Sequence, residues 1–106
     1  MLPKHRRPTH PGEILKYEYL EPFEMSGSRI SGYLGIPPDN MSRLVRGEYP
    51  VTSDIAFRLA RFFGTSAEFW LNLQRNVDMW DTLRDNSHEY EKIIPFSGHY
   101  QDKYEE

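Results

Sequence analysis

The chain has 106 residues, 14% of them aromatic, no cysteine and a net charge of −3. That length and apolar content predict one globular domain with a real core, and exclude general disorder, a disulfide framework, a thiolate metal site and a Cys nucleophile. No apolar run approaches the roughly 20 residues that span a bilayer, and the basic start MLPKHRRPTHPGE lacks the apolar stretch of a secretory signal, so a cytoplasmic protein with no membrane partner is expected.

The charge is unevenly spread. Residues 1–75 hold 10 Lys/Arg against 8 Asp/Glu, a balance of +2; residues 76–106 hold 3 against 8, a balance of −5. The front is mildly basic and the tail acidic, so the local pattern, not total charge, bears on what the front binds.

Residues 1–10 read as a basic arm. Pro11 opens a first helix with Ile14, Leu15, Tyr17 and Leu20 at helical spacing, and Pro22 ends it. After a loop over 24–27, Ser28 is the expected N-cap of a short second helix, with Ile30 and Leu34 on one face and Gly35 as its left-handed terminus. The stretch LGIPPDNMSRLVRGEYPVT, 34–52, then starts a helix on two prolines. The residue before a proline is pushed to extended geometry, which an N-cap also requires, so Pro37 suits the cap and Pro38 the first turn. This third helix should run from Pro38 to about Arg46, with Met41, Leu44 and Val45 inward and Gly47 stopping it. Thr52 caps a fourth, whose stripe is Ile55, Ala56, Leu59, Ala60, Phe62 and Phe63; Gly64 ends it. A long fifth helix begins at a Thr65–Glu68 capping box or at Ser66, and runs to about Arg84. Beyond it, Tyr90, Ile93, Ile94 and Phe96 suit a short strand or docking segment. The division expected is an arm over 1–10, a helical domain over 11–86 and an acidic tail over 87–106.

Two short helices joined by a Gly turn are the helix-turn-helix layout, whose second helix enters the DNA major groove. Its slots are filled suitably: small Ser31 at the crossing, Gly35 at the turn, Ile36 as its plug, Met41 and Leu44 facing the core. Pro38, Asp39, Asn40, Ser42, Arg43 and Arg46 are left facing outward. Asn pairs bidentately with adenine and Arg with guanine, and Asp39, which repels phosphates, can accept from a cytosine amino group. Arg29 is a candidate backbone contact, as is the arm segment 4–7; the helix starts at Ser28 and Thr52 can receive phosphates. The same pattern also fits a protein-interaction module, because helix surfaces are polar in most all-α proteins.

HPGEIL (10–15), LEPF (20–23), LGI (34–36), MSRLVRG (41–47), YPVT (49–52), AFRLARFFGTS (56–66) and EFWLNLQ (68–74) resemble the HigA antitoxin family, also labelled VapI. These are helix-turn-helix regulators of the XRE type, and the resemblance covers about residues 10–84. It implies an all-α, lambda-repressor-like five-helix bundle with a short C-terminal extension. It implies a dimer that binds palindromic operator DNA and represses its own operon. It also implies a HigB-type toxin partner, a small basic ribonuclease acting on messenger RNA, which the antitoxin neutralises. Carried onto this sequence, the reading helix is 38–46. The departure is Pro37-Pro38, where relatives often have a Ser or Thr cap followed by a polar or basic residue. A stand-alone repressor without a toxin is the other reading within the family.

Phe69, Leu73, Val77 and Trp80 follow one face of the fifth helix and, with Trp70, are the expected dimer interface; the alternative for such aromatics is core. Catalysis is not expected. None of the four histidines (5, 10, 88, 99) has metal-ligand spacing, no Gly-rich phosphate loop is present, and Asp78, Asp81 and Asp85 read as a solvated face. No cofactor or metal is expected.

Overall fold

A computed structural model describes residues 6–97. Among these the chain is all-helical, with five helices and no strand. The first, α1, starts as an α-helix over Pro11–Ile14, widens to a π-helix over Leu15–Leu20 and tightens to a 3-10 turn over Glu21–Phe23. In the wide part the Glu21 N–H reaches back five residues to the Lys16 carbonyl. Five residues of regular α-helix turn about 140° past a full circle. The wider winding reduces that angle, and Leu15 and Leu20 are both buried. Pro22 sits in the opening turn of the 3-10 segment, where its missing N–H is not needed.

The remaining helices are α2 (Gly27–Leu34), α3 (Pro38–Val45), α4 (Ser53–Phe63) and α5 (Ala67–Glu91). Helix α2 starts two residues earlier than expected: Ser26, not Ser28, is the cap, extended, with its Oγ accepting from the Arg29 N–H at 3.0 Å. Gly27 opens the helix beside α3, where a Cβ would make only ordinary van der Waals contact with Met41 and Val45. Pro37 caps α3 in extended geometry with no side-chain bond, as its sequence position predicts. Thr52 caps α4 through the Ile55 N–H. At α5 the cap is Ser66, which accepts from Phe69. Thr65 instead accepts from the Trp70 indole N–H at 2.8 Å, so it satisfies a buried donor rather than a helix end.

The core joins Leu15 and Leu20 of α1, Ile30 and Leu34 of α2, Met41 and Leu44 of α3, Ile55, Ala56 and Leu59 of α4, and Trp70 of α5, with Ile36 and Val51 from the loops. Phe62, expected in the α4 stripe, is 40% exposed and stacks on Tyr33; only its neighbour Phe63 turns to the core. Helix α5 continues past Arg84 to Glu91, so residues 87–91 are helix rather than tail. Its core-facing residues Trp70, Gln74 and Val77 lie in the first half, and residues 82–97 are exposed throughout. Tyr90 is helical, and Ile93 and Ile94 are exposed in irregular chain rather than in a strand. The stretch 98–106, the end of the expected acidic tail, lies outside the described residues.

Candidate nucleic-acid interface

The two short helices meet through small contacts. Ser31 is buried and its Oγ donates to the Ser28 carbonyl at 2.7 Å, so the hydroxyl at the crossing stays satisfied inside its own helix. Gly35 turns at φ 71°, and the Gly35 and Ile36 N–H groups both close on the Ser31 carbonyl. Ile36 is buried as the plug. Arg58 of α4 locks this turn from outside. Its Nη1 donates to the Leu34 carbonyl at 2.8 Å and its Nε to Asp54 at 2.8 Å. The sequence offered only its place on a polar face; its spacing from Asp54, four residues, was the available signal.

Helix α3 is fixed from the other side by the HPG segment. His10 is buried, and its Nδ1 accepts from the Gly12 N–H at 2.9 Å as the cap of α1. A Cβ on Gly12 would overlap the Leu44 carbonyl oxygen. Glycine therefore lets α1 touch the end of α3 backbone to backbone. Burial, reinforced by the Arg7 charge, holds the His10 imidazole below its usual pKa. The neutral ring is the form that can accept at Nδ1.

With its inner face held, α3 presents the others. Met41 and Leu44 are fully buried; Pro38, Asp39, Ser42, Arg43 and Arg46 are exposed and Asn40 half-exposed, on one outward surface. Arg46 Nη1 donates to Ser42 Oγ at 2.7 Å, and its Nε and Nη2 reach Glu48 Oε1 at 3.3 Å. The Arg43 guanidinium lies 5.7 Å from the centre of the Tyr49 ring. Sequence reasoning missed both loop partners. Between the start of α2 and this face runs an open groove lined by Ser28, Pro38, Asp39, Ser42 and Arg46. Arg29 is exposed near the same end of α2, on the side facing Phe23 and Met25.

The arm is placed differently from a free basic tail. Arg7 makes a two-pronged pair with Asp81 of α5, both bonds at 2.9 Å. This pair lowers the Asp81 pKa. Asp78 accepts from Gln74 and Asp85 from Arg84, so the acidic face is partnered as well as solvated. Lys4 and His5 lie outside the described residues.

The five residues expected at a dimer interface do not share one surface. Trp70 is fully buried and Val77 is 1% exposed, each enclosed by its own chain, which leaves a partner nothing to cover. At about 100° per residue they lie opposite Met79, Leu83 and Tyr90. Those three are exposed along one line of α5, while Phe69, Leu73 and Trp80 flank them.

No protein-family model matches the chain. Among relatives, it is 43% identical over 76 residues to the uncharacterised HTH-type transcriptional regulator YbaQ of Escherichia coli K12, covering 72% of this chain and 67% of that one. It is 38% identical over 90 residues to antitoxin HigA-1 of Vibrio cholerae, covering 85% of each. Among solved structures, antitoxin HigA of Pseudomonas aeruginosa with the higBA promoter superposes with a TM-score of 0.80 at 36% identity, covering 85% of this chain and 98% of that one. A helix-turn-helix held in a five-helix bundle thus defines the class, that of the helix-turn-helix transcriptional regulators. Within it, the chain belongs to the HigA antitoxin family.

Proposed function

We propose that this protein is a cytoplasmic, non-enzymatic repressor that binds palindromic operator DNA as a homodimer and neutralises a toxin ribonuclease encoded beside it. The observation that carries this reading is the outward face of α3. Its Asn40, Ser42, Arg43 and Arg46 project from a helix whose inner side packs against α1 and α2, and Arg58 holds the turn that precedes it. Those side chains match base-edge chemistry, and a rigid support keeps them in register. Pro38 and Asp39 start the face, with Asp39 suited to a cytosine amino group. Arg29 and the groove beside Ser28 supply phosphate contacts, which position without specifying.

The relatives support both halves of the reading: one was solved with a promoter and one is named an antitoxin. The exposed α5 line, Met79, Leu83 and Tyr90 with Phe69, Leu73 and Trp80 beside it, is the proposed two-fold contact. Two-fold symmetry places two reading helices about 34 Å apart, one turn of DNA, and requires a palindromic site. The mechanism needs no cofactor or metal: Lys and Arg displace counterions, and α3 reads the bases.

The test is fluorescence anisotropy with DNA from upstream of the protein's own gene, at several salt concentrations and against scrambled DNA. Arg43→Ala should weaken operator binding by about 1–3 kcal/mol if the guanidinium reads guanine, and leave scrambled DNA nearly unchanged. Equal binding of both DNAs by the unaltered protein overturns the reading. Adding the product of the neighbouring gene then tests the toxin half.

A further inference from the structure

The loop that follows α3 is tied at both ends. At its start the Gly47 N–H bonds the Leu44 carbonyl at 2.9 Å and the Glu48 N–H bonds the Arg43 carbonyl at 2.8 Å, with Gly47 at φ 77°. At its far end the Val51 N–H donates to the buried Gln74 side chain at 2.8 Å. Gln74 in turn donates to Asp78, so α5 holds the loop through a satisfied, mostly buried amide. Such anchoring leaves little freedom between the ties. The two residues presented there, Glu48 and Tyr49, are the ones that touch the arginines of the reading face.

We propose that Glu48 is a positioning and specificity-determining residue, which orients Arg46 for base reading and discourages docking on DNA of any other sequence. The proposal rests on the DNA-binding reading above. Its geometry is a three-point hold on one guanidinium. Ser42 Oγ takes Nη1 on one edge, and Glu48 Oε1 takes Nε and Nη2 on the adjacent edge. A planar guanidinium held on two edges has one orientation. The side chains of Arg46 and Glu48 are 55% and 57% exposed, and exposed ion pairs add little to stability. The pair's consequence is therefore orientation and charge. Orientation favours a base partner at a fixed place. The carboxylate, on a surface offered to phosphates, opposes a sequence-independent approach. Tyr49 acts alongside by giving Arg43 a ring to rest on.

The experiment compares the unaltered protein with Glu48→Gln and Glu48→Ala. Gln keeps an oxygen acceptor for Arg46 but removes the charge; Ala removes both. The first measurement needs no DNA: nitrogen-15 relaxation of the Arg46 Nε–H in the free protein. It should be ordered in the unaltered protein and in Glu48→Gln, and mobile in Glu48→Ala. Equal mobility in all three overturns the hold. The second is anisotropy with operator and scrambled DNA across salt. Both variants should bind scrambled DNA several-fold more tightly, with a steeper salt dependence. The preference for operator should fall further in Glu48→Ala than in Glu48→Gln. An unchanged preference in Glu48→Ala overturns the specificity role. If the unaltered protein shows no preference at all, the DNA-binding reading fails instead, and the relaxation result still decides whether Glu48 holds Arg46.

Discussion

Gly12 shows how much one hydrogen atom in place of a methyl can decide. The Leu44 carbonyl occupies the space a Cβ would need, and it is backbone, which cannot swing aside as a side chain can. Gly12→Ala should therefore cost about 3 kcal/mol, at the upper end of overpacking costs, and lower the thermal unfolding midpoint accordingly. Next to it, His10 makes stability depend on pH. Its pKa is lowered in the folded chain, chiefly by burial, while the unfolded chain titrates at about 6.5. The unfolded state thus takes up the proton first, and stability, complete above that value, falls as pH drops through it toward the lower folded pKa. Urea unfolding between pH 7 and 5 should show this decline. His10→Asn, which keeps an oxygen acceptor for the Gly12 N–H, should flatten it.

At the scale of the element, the short helices depend on partners outside themselves. Helices of eight residues are too brief to persist alone, and α3 lacks even a capping side chain. The end of α2 is closed by Arg58 from α4, through the Leu34 carbonyl. Arg58→Leu removes that bond and the Asp54 pair, and should cost about 1–2 kcal/mol in denaturant unfolding. It should also weaken operator binding beyond the stability loss at temperatures where the protein is folded, because the turn sets how α3 is offered. The last two turns of α5 present the reverse case, with no core contact and exposed side chains throughout. They stay helical by continuation of a helix whose first half is packed around Trp70, Gln74 and Val77.

For the whole molecule, the test of assembly falls on the outer line of α5. Leu83→Glu places a charge at the centre of the exposed Met79, Leu83, Tyr90 line without touching the core. It should convert dimer to monomer in sedimentation while the unfolding free energy of the dilute, already dissociated protein stays within ~0.5 kcal/mol of the original. A dimer that persists unchanged moves the interface elsewhere. Trp70→Ala is a poor probe of assembly, because that ring lies inside its own chain and its loss should destabilise the fold by about 3–5 kcal/mol.

The sequence by itself determined the number and order of the helices, because each is bounded by a residue with a local conformational rule. Pro11 and Pro37-Pro38 open helices, Gly35 and Gly64 close them in the left-handed region, and Thr52 and Ser66 cap them. The outward set on α3 was legible for a similar reason: with Met41 and Leu44 inward, helical spacing leaves Asp39, Ser42, Arg43 and Arg46 outside. Tertiary structure alone decided the rest. Periodicity places Trp70 and Val77 opposite Met79 and Leu83 on α5 but does not say which face meets its own core and which is left for a partner; that was decided only once α1 and α4 were packed. The same holds for the long-range bonds. Arg7 with Asp81, Arg58 with Leu34 and Gln74 with Val51 join residues 74, 24 and 23 positions apart, and no local rule links residues so distant. Only the packed bundle brings them within reach.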